Sequence, residues 1–243
     1  MRWIAILIVM LPMWAAGQNM GRYPNAVTPT AESGYTWSGL DHWWSLDEAS
    51  GTIIDSAGSD NGTGYDITYQ ATGKVNYGID FESVDDSRIN LTSGFNYGAN
   101  DFAVVAWVKV ESYSTYIDIV GGDVGSFTFR INTTGALSIR KHDVSESTKT
   151  SITLTTGSWY MIGVSYDQSE DELIFRINEN SETESWGYEF EAVTDWIGGS
   201  GSHGTVASYD GILDNISVWD HVLTNDEWNI LYNSGDGRPY SYE

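Results

Sequence analysis

Residues 101–110 constrain this chain more than any other stretch. Phe102, Val104, Ala106, Val108 and Val110 alternate on one side, and Val105 and Trp107 occupy the other. Side chains of a strand point to opposite faces in turn, so a strand apolar on both sides must be covered from above and below. The same two-residue period recurs at Val75, Tyr77, Ile79 and Phe81, and at Phe127, Phe129 and Ile131. A Thr133-Thr134-Gly135 turn then leads into residues 137–139. Tyr160, Ile162, Val164 and Tyr166, a polar turn at 167–171, and Leu173, Phe175 and Ile177 read as a hairpin. Ile212, Ile216 and Val218 form the last strand.

One segment has helical signals. Thr224 and Glu227 are spaced as a capping box ahead of Trp228, Ile230, Leu231 and Tyr232, with Gly235 near a natural stop. Roughly a dozen short strands and no βα alternation predict an all-β fold: a two-sheet antiparallel sandwich with one short C-terminal helix.

Composition narrows the function classes. Eleven Lys and Arg stand against 34 Asp and Glu, a net charge of −23. That balance argues against nucleic acid or an anionic membrane surface as partner. With no cysteine there is no disulfide, thiolate zinc site or iron–sulfur ligand. Eleven Trp, 15 Tyr and 7 Phe exclude a disordered acidic chain.

At the N-terminus, Arg2 precedes an apolar run over residues 4–16, too short for a membrane-spanning helix of about 20 residues. Ala15 and Gly17 suit a signal peptidase, so residues 1–17 read as a signal peptide; the alternative is an uncleaved anchor. Residues 18–36 read as a polar linker, 37–235 as the domain and 236–243 as a tail. No membrane span is expected after cleavage, and the expected location is secreted or cell-surface. Asn61, Asn90, Asn132 and Asn215 each open an Asn-x-Ser/Thr triplet.

Several blocks, in order, resemble a known family. They are Leu40-Asp41-His42-Trp43-Trp44, Asp55-Ser56-Ala57-Gly58 and Asn61-Gly62-Thr63, then Gly73-Lys74-Val75-Asn76-Tyr77-Gly78-Ile79-Asp80-Phe81. Asp101-Phe102 to Lys109, Gly157-Ser158-Trp159-Tyr160 and Asp210-Gly211-Ile212-Leu213-Asp214-Asn215-Ile216-Ser217-Val218-Trp219 follow. Together they resemble a laminin-G-like jelly roll of the concanavalin A-like lectin/glucanase superfamily. The resemblance implies that fold over residues 37–235, and it leaves function open, since one fold hosts many activities.

Asp214 raises a metal question. Alternation puts it on the face of Ile212, Ile216 and Val218, which predicts a core-facing carboxylate. Such a group needs backbone donors or a cation. The loop over residues 55–61 offers many oxygens of the kind that calcium takes. The resemblance implies a structural Ca2+ with Asp55, Asn61 and Asp214 as ligands. The other reading is an ordinary Asx-turn beside a hydrogen-bonded Asp214.

Catalytic patterns are missing from the sequence. The family's glucanases carry three alternating acids on one strand; here Glu182 and Glu184, or Glu189 and Glu191, alternate without a third. The expectation is therefore a non-enzymatic protein. Aromatics in polar settings, Tyr113, Tyr116, Trp186, Tyr188 and Trp196, with Tyr209, are the ligand candidates. Trp186 and Trp196, with Asp195 and Asn180, are expected to line a glycan groove. The leading expectation is a secreted carbohydrate-binding or adhesion module whose partner is a glycan or surface polysaccharide. Two alternatives stand beside it: a viral or cell-surface structural protein with a protein partner in an assembly, and a glycosidase with atypical acids.

Overall fold

The structure, a computed structural model, describes residues 37–113, 116–141, 145–187, 189–190, 192–199 and 209–240. The expected signal peptide and linker lie outside the described residues.

Two antiparallel sheets of eight strands each face one another. The first runs β14 (Asn180–Ser185), β13 (Glu172–Ile177), β12 (Trp159–Asp167), β7 (Phe102–Val110), β16 (Gly211–Trp219), β5 (Tyr77–Phe81) and β4 (Ile67–Thr72). Strand β1 (Leu40–Trp44) continues the β5 side of β16. The second runs β11 (Ser145–Thr153), β10 (Ala136–Lys141), β9 (Phe127–Ile131), β8 (Ile117–Gly122), β15 (Thr194–Ile197), β6 (Arg88–Phe95), β3 (Gly62–Tyr65) and β2 (Thr52–Ile53). This is the expected concanavalin A-like jelly roll. None of its described helices is long and apolar enough to cross a membrane.

Strand β7 is central, as its two apolar faces require. Phe102, Val104, Ala106, Val108 and Val110 enter the core between the sheets. Ala103, Val105 and Trp107 enter a second cluster on the outer side of the first sheet. That outer cluster exists because helix α1 (Asn225–Tyr232) lays Trp228 and Leu231 across β7 and β12. Gly163 of β12 makes the approach possible: a Cβ there would lie 2.7 Å from the Trp228 ring. The capping box forms as expected, with Glu227 N–H donating to Thr224 Oγ1 and Thr224 N–H donating to Glu227 Oε2. The helix stops earlier than Gly235, because Asn233 takes the left-handed conformation at φ 48°. Packing also runs past residue 235: Gly237 abuts Trp107, and Tyr240 meets Trp43 with ring centroids 5.6 Å apart.

The register of β16 corrects the expected place of Asp214. Against β7, Asp214 pairs with Trp107 but Ser217 pairs with Val105, so one extra residue is accommodated between them. Asn215 takes it up at φ 45°. This bulge reverses the phase. Leu213, Ile216 and Val218 face the inter-sheet core, and Asp214 is buried on the opposite side.

Candidate functional site

Asp55 is the centre of an Asx-turn rather than of an open donor set. Its Oδ1 accepts from the backbone N–H of Trp43, Ala57 and Gly58, and its Oδ2 accepts from Asp60 N–H. His42 Nδ1 lies 2.7 Å from Oδ2, so that nitrogen carries the proton. Burial opposes ionisation, but His42 and the amides of Gly58, Trp43 and Asp60 outweigh it and hold the carboxyl at about 2. Asn61 is brought to the same turn, where its Oδ1 accepts Asp55 N–H at 2.9 Å. Asp214 belongs to a different set: its Oδ2 accepts Lys74 and Val75 N–H, both at 2.7 Å. The three side chains therefore do not converge, and their arrangement does not fit one calcium ion. Among the described residues no three His, Cys, Asp or Glu side chains gather around a point.

The aromatic candidates separate by face. Trp186 is 3% exposed and stacks on Phe190 at 5.7 Å inside the inter-sheet core. This corrects its expected place in a groove: just past β14 the Trp186 N–H donates to Asp171 O, and the ring lies in the inter-sheet core. Tyr209 is fully buried against Phe81. Tyr113 packs on the core with its hydroxyl buried, and burial pushes that hydroxyl up to about 12. Tyr116 lies under the Arg130 guanidinium at 4.6 Å, and Arg130 is ion-paired to buried Asp118 at 2.9 Å. Tyr188 lies outside the described residues. Trp186 and Asn180 belong to the edge of the first sheet, whereas Trp196 and Asp195 lie on β15 of the second, so the expected four-residue groove does not form.

Trp196 remains, and the fold gives it partners that the sequence did not suggest. Ile89 and Ile197 point into the core, so Arg88, Asn90 and Trp196 occupy the outer face of the second sheet. Strand β3 adds Tyr65 directly opposite Arg88. The Arg88 guanidinium lies 4.9 Å from the centroid of Tyr65 and 5.2 Å from that of Trp196. Arg88 Nε donates to Asn90 Oδ1 at 3.2 Å, and Nη1 pairs with Asp86 at 2.9 Å. Tyr65 is 43% exposed and Trp196 half-buried. Two rings held apart by a cation, next to an amide, form a rigid amphipathic surface. Each cation–π contact contributes roughly 0.5–1 kcal/mol to that rigidity. Tyr65, Arg88 and Asn90 were not legible as site residues, because only strand register places them beside Trp196.

Among the Asn-x-Ser/Thr triplets, Asn132 and Asn215 are buried, at 1% and 4% exposure, and cannot accept a glycan in the folded chain.

The chain belongs to the concanavalin A-like lectin/glucanases superfamily, whose family profile matches residues 82–227, more than half of its length. No curated protein matches the sequence. Solved structures share the fold at low identity. Domain 4 of AbnA, a GH43 extracellular arabinanase from Geobacillus stearothermophilus in complex with arabinotriose, superposes with a TM-score of 0.62 at 19% identity. That match covers 78% of this chain and 96% of the domain. Trypanosoma rangeli sialidase in complex with sialic acid gives 0.61 at 12% identity, covering 83% of this chain and 34% of the sialidase. The binding domain of Paraclostridial Mosquitocidal Protein 1 gives 0.60 at 16% identity, covering 81% of this chain and 52% of that one. The chain thus spans about a third of the length of the sialidase it matches.

Proposed function

We propose that this protein is a secreted, non-catalytic carbohydrate-binding module whose glycan contact is the Tyr65–Arg88–Trp196 surface. The observation that carries the reading is the ring pair, exposed Tyr65 and half-buried Trp196, joined by Arg88 on the outer face of the second sheet. Sugars present flat C–H faces and peripheral hydroxyls, so an aromatic plane flanked by amide and guanidinium groups suits them. Kinship supports it: domain 4 of the arabinanase, 96% of which the similarity covers, is described in complex with arabinotriose. The non-catalytic part draws support from Glu182, whose carboxylate accepts from Ser151 N–H, Ser151 Oγ–H and Ile152 N–H and so fastens β14 to β11. A carboxylate used in this way is not poised as an acid or nucleophile.

A glycan array with the secreted chain tests the reading. Binding should appear, and Trp196→Ala should weaken it by about 2 kcal/mol, roughly thirtyfold in Kd. Tyr65→Ala should weaken it too. Undiminished binding by both variants would remove this surface as the contact.

A further inference from the structure

We propose that the outer side of the first sheet holds a small monovalent anion of chloride size between Arg238, Asn215 and Ser217, and that this ion fastens the end of the chain to β16. The site lies on the sheet that carries helix α1, opposite the sheet of Trp196, and does not depend on the glycan reading.

Residues 237–240 return across the first sheet after the helix. Gly237 abuts Trp107, the Arg238 guanidinium lies 5.7 Å from the centroid of the Trp37 ring, and Tyr240 meets Trp43. Arg238 borders a cleft of about 200 Å³, open at one side, whose centre has room for one particle of water or chloride size. Trp43, Trp107 and Met161 wall the cleft. Its polar groups come from Arg238 and from Asn215 and Ser217 of β16.

Each of these groups presents a donor. The Trp43 indole N–H donates to Asn215 Oδ1 at 3.0 Å. An indole nitrogen can only donate, so it fixes which end of the amide faces it and turns Nδ2 away. Asn215 is 4% exposed, and its buried Nδ2 has no hydrogen-bond partner. Ser217 is 1% exposed, and its Oγ accepts the Trp219 indole N–H at 3.0 Å, which leaves its own proton to give. Arg238 has five N–H donors and no acceptor. Among the described residues it pairs with no carboxylate, in a chain where acids outnumber bases 34 to 11.

A site of donors selects an anion. With Asn215 Oδ1 and Ser217 Oγ already engaged by two indoles, a water would find few acceptors for its protons, whereas chloride needs none. Arg238 supplies the opposite charge, and hydrogen bonds to an ion are roughly twice as strong as neutral ones. The apolar walls suit a single charge; a doubly charged anion is larger and costs more to strip of water. Asp214 precedes Asn215, but burial holds its carboxyl up to about 8, so it brings no opposing charge at neutral pH. The acidic surface farther off is screened beyond about 8 Å at physiological salt. Since Arg238 belongs to the tail and Asn215 and Ser217 to β16, the ion bridges the two and stabilises the folded state.

The chloride-35 resonance reads the site directly, because a bound ion broadens the line. When chloride replaces gluconate at constant ionic strength, the full chain should give saturable broadening that bromide reverses. Thermal unfolding followed by tryptophan fluorescence should shift upward by about 3 °C at chloride ten times its Kd. Asn215→Asp, which turns the unpartnered donor into an acceptor, should abolish both effects, and Arg238→Gln should weaken binding about tenfold. Arg140→Gln, which removes a charge from the second sheet, should change neither. Circular dichroism checks that each variant folds; should Asn215→Asp fail to fold, Arg238→Gln, outside every strand and helix, decides alone. The proposal is overturned if chloride and gluconate give the same melt without saturable broadening, the result of a water in the cleft. Binding unchanged by Asn215→Asp and Arg238→Gln overturns it as well.

Discussion

Asp214→Asn should stabilise the protein at alkaline pH, because it removes a buried carboxyl that resists ionisation. Asp214 is 0% exposed on the helix-covered side of the first sheet. Its Oδ2 takes two backbone N–H bonds, while its Oδ1 has no partner. Burial is the largest influence on the carboxyl and the charge of Asp47 adds to it; the amides of Val75 and Lys74 oppose them without prevailing, so the group moves from 3.8 up to about 8. The native chain therefore keeps a proton that the unfolded chain releases across that window. Stability is full below about pH 4 and falls as pH rises through about 8, at up to roughly 1.4 kcal/mol per pH unit. An Asn offers the same carbonyl to Lys74 and Val75, places an amide where the proton sat, and does not titrate. The stability of the variant relative to the parent should therefore rise by about 3 kcal/mol between about pH 5.5 and about pH 8. Urea unfolding followed by tryptophan fluorescence at the two pH values measures it. A variant that is less stable by the same amount at both would show that the native carboxylate is ionised, and the reasoning fails.

Three further outcomes are expected. Asp55 behaves in the opposite sense: its carboxyl lies at about 2 against an ordinary 3.8. Its contribution of about 2 kcal/mol is complete above about pH 4 and lost as pH falls toward about 2, so Asp55→Ala should abolish that part of the acid-unfolding profile. Trp228→Ala should cost about 3–5 kcal/mol in chemical unfolding, because it opens the outer cluster and strands the Asn178 carbonyl that accepts from the indole N–H. Thr224→Ala, which removes the helix cap, should cost about 1 kcal/mol in the same assay.

Much of the architecture was legible because apolar alternation survives translation into packing. The strand over 102–110, the hairpin of β12 and β13 and the capped helix all follow from local periodicity and local hydrogen bonding. Edge strands were not legible. β14, Asn-Ser-Glu-Thr-Glu-Ser, and β11, rich in Ser and Thr, have no apolar stripe to read. Their pairing comes from neighbouring backbone and from Glu182 reaching across to Ser151 and Ile152.

The amino-acid sequence by itself determined the class of fold and the existence of a two-sided core, since a two-residue apolar period admits few other solutions. Only the tertiary structure decided which way Asp214 points, that Trp186 is interior, and that Tyr65, Arg88 and Trp196 meet. A single bulged residue flips every side chain after it, and residues on separate strands become neighbours only through register. Both are properties of paired strands, and no single segment carries them.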